Sequence, residues 1–368
     1  MQEVHDIPVL IAEFGVPSSR GRGHTSTQGK HEGGLTEEEQ GQINKELFED
    51  IKEEEMMGGV LFTWQDEFFK RTWNNQAYNN PDRRPFWPNI QTNEQFYGVF
   101  NFDVRAKNID GDFSQWSEEE LFYQSQAEEY FDSFYVSSDA ESLYFKLALQ
   151  EDINLVEDEI YILLNSNFEQ GRTVFDRNNI DFIVKLADGQ ARVLVEEDYD
   201  VFEYEHADGE YSEGEEISDK EYDFISEEIS GFNPIRRILN NKFEIPATEE
   251  IIYFAYEEAG KLSIAEEESE YDSLTDLAVK NNKLELRIPW GLLNFSDPSQ
   301  REIIAGLDKG LDSSRITEGI ELYLGSKQYG SNIFLPTDKN EAEIYTWKQW
   351  NKVNYQERKK ESYGIWTD

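Results

Sequence analysis

Val9, Leu10, Ile11 and Ala12 form a short apolar run with neither helical nor alternating period, which predicts a strand buried on both faces of a parallel sheet. Pro8 can begin such a strand but not continue it, and Gly15-Val16-Pro17-Ser18-Ser19 ends it in a loop. The period changes at Thr36. There Thr36-Glu37-Glu38-Glu39 reads as a capping box, and Ile43, Leu47 and Ile51, at four-residue steps, predict the buried face of a helix that Gly58-Gly59 stops. A second apolar run, Val60-Leu61-Phe62-Thr63-Trp64, ends in Gln65-Asp66-Glu67 and completes a βαβ unit.

Residues 68–88 are aromatic, amide-rich and broken by prolines, which predicts a loop. A boundary falls near 104–108, dividing the chain into 1–103 and 104–368. Beyond it Leu143, Phe145, Leu147 and Leu149 alternate with Tyr144, Lys146 and Ala148, and similar runs occur at 159–164, 181–187, 192–195, 251–256, 284–288 and 320–324. Many short strands parted by turns predict an antiparallel β-sandwich, its core drawn from one alternating face of each strand.

Charge narrows the partners. Among 368 residues, 34 Lys+Arg stand against 77 Asp+Glu, a net charge of −43, a poor match for nucleic acid or an anionic membrane surface. The absence of cysteine excludes disulfides and thiolate metal sites. No run approaches ~18 apolar residues, so no membrane span is expected. No signal peptide is visible either, and an extracellular or cell-surface location would need one upstream. The acidic stretch 196–228, interleaved with Tyr199, Phe202, Tyr204, Tyr211, Tyr222 and Phe224, lacks EF-hand spacing and reads as a solvated excursion between strands. Asp110-Gly111-Asp112 is the other calcium (Ca²⁺) candidate, and no further cofactor is expected.

Glu13, the carboxylate that ends the first run, is the candidate catalytic residue. In a parallel barrel the chemistry sits at the carboxyl ends of the strands, although a lone strand-end glutamate is ordinarily just solvated. The Gly-, Ser-, Arg- and His-rich loop 18–34 that follows could line a substrate site. Pro8-Val9-Leu10-Ile11-Ala12-Glu13-Phe14-Gly15 together with Gly58-Gly59-Val60-Leu61-Phe62-Thr63-Trp64 resembles strands seven and eight of the clan of retaining glycoside hydrolases built on a (β/α)8 barrel. That resemblance implies a nucleophile at Glu13 and a sugar-stacking ring at Trp64. In the same setting Trp73, Asn74, Tyr78 and Trp87 would follow strand eight and contact sugar, or else fold the loop on its own aromatics. Retaining hydrolysis needs a second carboxyl group about 5 Å away. In that clan it comes from strand four, which this chain does not contain, so the expectation is the tail of a longer protein or a truncated reading frame, itself inactive.

A second resemblance covers most of 105–368. Ile109-Asp110-Gly111-Asp112-Phe113-Ser114-Gln115-Trp116, then Phe134-Tyr135-Val136-Ser137-Ser138-Asp139 leading to Leu143-Tyr144-Phe145, and finally Leu286-Arg287-Ile288-Pro289-Trp290-Gly291-Leu292-Leu293, are similar to the sandwich of family 9 carbohydrate-binding modules and DOMON domains. Members bind sugar or haem. The Met and His pair implied for haem is missing here, because the methionines are Met1, Met56 and Met57 and the sandwich holds His206 alone. Trp116 and Trp290 read as core, while Trp347 and Trp350 could be core or a sugar platform. The expected architecture is therefore multidomain, a partial (β/α) barrel remnant of the last two βα units followed by the sandwich. The expected partner is carbohydrate. The competing expectation is a non-catalytic cell-surface binding or interaction protein in which the remnant is structural, and the sequence sets no oligomeric state.

Overall fold

The computed structural model describes residues 7–26, 30–125, 130–206, 224–267, 270–328 and 331–367. Among these, short strands predominate over three α-helices, Glu37–Glu53, Val201–His206 and Glu361–Thr367. No helix among the described residues is long and apolar enough to cross a membrane.

Two large sheets carry most of the strands of the second half, beside several two- and three-stranded ones. A seven-stranded sheet runs in the order Phe232–Pro234, Gln190–Glu196, Phe182–Ala187, Ile160–Asn165, Ile320–Gln328 and Ser331–Leu335, with Ile344–Tyr345 also paired to Ile320–Gln328. A six-stranded sheet runs Ile264–Ala265, Leu277–Lys280, Lys283–Pro289, Ser142–Leu149, Phe131–Ser138 and Leu121–Gln124. Register places Val184 beside Ile162 and Val193, and Phe145 beside Leu286 and Val136. Alternation then sends Ile160, Ile162, Leu164, Val184 and Leu322 of one sheet into a single apolar core with Phe134, Phe145, Leu147, Leu286 and Ile288 of the other.

The opposite faces are covered as well, which the alternation alone does not predict. Tyr161, Leu163, Ile183 and Leu194 pack beneath Val174, Ile180, Ile229 and Phe232. Tyr135, Tyr144 and Ala278 pack beneath Ile109 and Trp116. Glu285, fully buried on this second face, accepts from the Trp116 indole at 2.9 Å and from the backbone of Asp110 and Gly111, so the acidic turn 110–112 is docked by its amides.

Residues 10–61 form the expected βαβ unit. Leu10–Phe14 and Gly58–Leu61 pair in parallel on either side of helix Glu37–Glu53, and the Thr36–Glu39 capping box is made in both directions. This is a two-stranded sheet and closes no barrel. The expectation of strands buried on both faces fails accordingly: Leu10 is 46% exposed and Val60 52%, because neither outer edge of the pair has a further strand to cover it. The helix departs from expectation too. Ile43, Leu47 and Ile51 are half-buried, and the fully buried positions are Glu37, Gln40, Gly41 and Asn44. The Gln40 amide donates to the carbonyls of Val16 and Phe96, and Asn44 accepts from the Val16 amide.

The chain end returns to this unit. Gln356–Lys359 pairs antiparallel with Phe100–Asp103, and helix Glu361–Thr367 lies across helix Glu37–Glu53. A Cβ at Gly41 would stand 2.8 Å from the Ser362 Cα, so glycine permits that close approach. Arg358 binds both Glu37 oxygens, at 2.8 and 2.6 Å, and Asp103 at 3.0 Å. Lys360, buried, reaches Asp66 at 2.7 Å, the Phe96 carbonyl and the Ser18 hydroxyl. Arg20 ties the N-terminal region directly to the sandwich through Asp276 at 2.9 Å.

Candidate functional site

Glu13, one residue before the end of the first strand, is exposed to solvent, and among the described residues its carboxylate makes no hydrogen bond or ion pair. It belongs to an acidic rim around the Tyr97 hydroxyl, which donates to Glu32 at 3.3 Å. Burial and the carboxylates of Glu32, Glu94 and Glu13 push that hydroxyl's pKa well up. Trp64 follows the second strand and is 62% exposed, its ring against Phe100 with centroids 4.4 Å apart. These two residues therefore lie at the carboxyl ends of the parallel pair, each open to solvent.

The loop candidates divide. Trp73 is half-buried, its indole donating to the Gly23 carbonyl at 2.7 Å and its ring stacked on His24. Asn74 is buried and donates to the carbonyls of Arg22 and Ile238, which fixes the loop to the sandwich. Trp87 is 2% exposed and part of the sandwich core, so its ring is covered by protein and presents no face to a ligand. Tyr78 is half-buried and donates to Glu205 at 2.7 Å.

The Trp347–Trp350 segment is placed differently. A cleft of about 600 Å³ opens between residues 347–354 and the turn Ser138–Asp139–Ala140. Trp347 rests on Trp290, Phe295 and Tyr345 at centroid distances of 4.6, 5.6 and 6.0 Å. Both indole N–H groups are already used, Trp347 donating to the Pro298 carbonyl and Trp350 to the Phe86 carbonyl. Arg83 completes the clamp by donating to the Trp350 carbonyl at 3.0 Å and to Asn351 at 2.9 Å. What the segment leaves toward the cleft is aromatic surface edged by Gln349, Asn351 and Asn354, with Lys348 and Lys352 at the rim. An apolar ring bordered by carboxamides suits the mixed surface of a sugar, whose C–H face stacks while its hydroxyls hydrogen-bond.

At the cleft, half-buried Asp139 accepts from the backbone of Ala106, Glu141 and Ser142 and from the Tyr144 hydroxyl. Burial raises its pKa in spite of those bonds. Its work is to shape the turn. Among the described residues no group of three or more acidic or histidine side chains is arranged to hold a metal. In the 110–112 turn one Asp110 oxygen accepts from the Asp112 amide and one Asp112 oxygen from the Ser114 amide. Residues 207–223 of the acidic stretch, Tyr211 and Tyr222 included, lie outside the described residues.

Comparison with protein-family models and with curated proteins returns no match.

Proposed function

We propose that this chain binds carbohydrate, as the C-terminal portion of a carbohydrate-active protein, and has no catalytic activity by itself. The observation that carries the reading is the cleft floored by Trp347 and Trp350 and edged by three carboxamides. Affinity electrophoresis against soluble glucans, xylans and mannans tests it. At least one polysaccharide is expected to retard the protein, and Trp350→Ala, checked for intact folding by circular dichroism, weakens that binding about tenfold or more, ~1.4 kcal/mol. Retardation by none of them, or an unaltered Trp350→Ala variant, rejects the reading.

The βαβ unit is read here as the last two units of a hydrolase-type barrel, with Glu13 in the nucleophile's place and Trp64 as a stacking ring. This is supported by their common position at the carboxyl ends of the parallel pair. The clan's acid/base is supplied by its fourth strand and the βαβ unit holds only two strands, so wild type and Glu13→Gln are both expected to leave aryl glycosides unhydrolysed. Turnover by the wild type that disappears in Glu13→Gln would reverse this. The alternative of a non-catalytic interaction protein is favoured by the chain end, which treats the N-terminal unit as a structural partner through Arg358 and Lys360.

A further inference from the structure

The loop 68–88 carries two adjacent arginines with opposite fates. Arg83 has Asp297 at 2.9 Å, Ser299 at 2.6 Å, Asn351 and the Trp350 carbonyl as partners. Arg84 has none. It is 8% exposed, its Nε is buried without a hydrogen-bond acceptor, and its guanidinium meets no carboxylate. Arg71, on the same loop, is exposed and equally without a hydrogen bond or ion pair. Every other arginine of the chain hydrogen-bonds or ion-pairs within the protein.

A chain with 77 acidic residues has carboxylates to spare for both. Instead, burial and the like charge of Arg71 are what act on Arg84, and both push its pKa below the usual guanidinium range. Leaving a buried cation unpaired beside a second cation lowers stability, and a group held in that way in a cleft is a candidate ligand site. Arg71 and Arg84 line one cleft of about 380 Å³, within the size range of small-molecule sites. Tyr78, Asn79, Asn80 and Ser314 share its wall. Its acidic members do not pair with the arginines: Glu302 accepts from the Asn80 amide at 3.0 and 3.3 Å, and Asp312 makes no ion pair with either arginine.

We propose that the cleft of Arg71 and Arg84 binds the carboxylate of an acidic sugar, a uronate residue of a saccharide chain. A planar carboxylate matches the guanidinium fork, and the surrounding amides and hydroxyls match the ring hydroxyls. The proposal rests on the carbohydrate reading above for the molecule that carries the carboxylate, and on the two unpaired arginines for the carboxylate itself.

Calorimetric titration with trigalacturonate tests it, beside the methyl-esterified trisaccharide and free sulfate and acetate, in about 0.15 M salt, where charges beyond ~8 Å are screened and the two arginines decide. The acid trisaccharide is expected to bind at least tenfold more tightly than its ester, and Arg71→Gln and Arg84→Gln each to weaken it about tenfold. Arg84→Gln should keep or raise the melting temperature while losing the ligand, a combination that a purely structural arginine would not give. Trp350→Ala should leave trigalacturonate binding intact, so that loss of neutral-glycan binding at the tryptophan cleft and loss of uronate binding here are separate failures. Equal affinity for acid and ester, indifference to both arginine substitutions, or displacement by sulfate or acetate at concentrations equal to the trisaccharide's would each overturn the proposal.

Discussion

Lys360→Ala loses about 3–5 kcal/mol of folding stability at pH 8, the usual cost of removing one partner from a buried ion pair. The Lys360 ammonium lies 2.7 Å from Asp66 Oδ1, both side chains are essentially inaccessible, and the second Asp66 oxygen has no hydrogen-bond partner. Without the lysine the carboxylate stays buried with only the Gly98 amide as donor. Burial already outweighs the lysine's attraction and raises Asp66 to about 7, and without the lysine it rises further, so an unpaired Asp66 takes up a proton more readily and the loss shrinks as pH falls. The same side chain holds the Phe96 carbonyl and the Ser18 hydroxyl, so limited proteolysis of Lys360→Ala should release the chain end before the sandwich is cut. Asp66→Asn combined with Lys360→Met removes both charges and is expected to recover most of the loss, since a buried pair replaced by neutral groups is often nearly neutral in stability. Urea unfolding of the wild type and the two variants measures this. A single variant within about 0.5 kcal/mol of wild type would show that the pair contributes no more than a surface contact.

That clasp had no local signature. Gln356–Lys359 is four polar residues, and nothing in its pattern marks it as the partner of Phe100–Asp103. Pairing across so much sequence is decided by tertiary closure and not by propensity. The helix shows the same division within one element. Its start was legible because a capping box is local chemistry, whereas its buried Gln40 and Asn44 read as solvent-facing until the loop at Val16 and Phe96 supplies their partners. The sandwich strands were legible from alternation, but the cover over their second faces came from residues such as Trp116 and Ile229 outside the alternating runs. In the loop 68–88 the aromatic content pointed to ligand contact, yet Trp87 fills the core and Asn74 fastens the loop, while Arg71 and Arg84 line the open cleft. What sets these two apart is electrostatic, since they meet no carboxylate among the described residues while their neighbour Arg83 binds Asp297, and that pairing is decided by tertiary structure and not by the local sequence.

The protein melts several degrees higher at pH 5.5 than at pH 8.5. Burial raises Asp66 and Glu141 to about 7, Asp181 to about 8 and Asp200 to about 6. In the unfolded chain these carboxyls titrate at roughly 3.9 to 4.3. A group whose pKa is higher folded than unfolded binds its proton more tightly in the folded state. Its contribution to stability is therefore complete below the unfolded value and disappears as pH rises through the folded one. For these four the decline runs from about pH 4 to about pH 8. Asp103 opposes them: burial would raise it, but Arg105 and Arg358 hold it at about 2, so its contribution is lost only in strong acid and leaves the 5.5–8.5 window untouched. Repulsion within a net charge of −43 would push in the same direction as the buried groups. Salt separates the two, because the Debye length falls to about 3 Å at 1 M and screens surface charges while buried carboxyls are screened much less. The pH dependence should accordingly survive in 1 M NaCl and should become shallower in Asp181→Asn, chiefly above pH 7, where Asp66 and Glu141 are already largely ionised and the carboxyl that accepts the Ser166 and Asn167 amides no longer titrates. A melting temperature that is level or rises with pH across this window in high salt would mean that these carboxyls enter the folded state at ordinary pKa values, and that the burial argument is wrong.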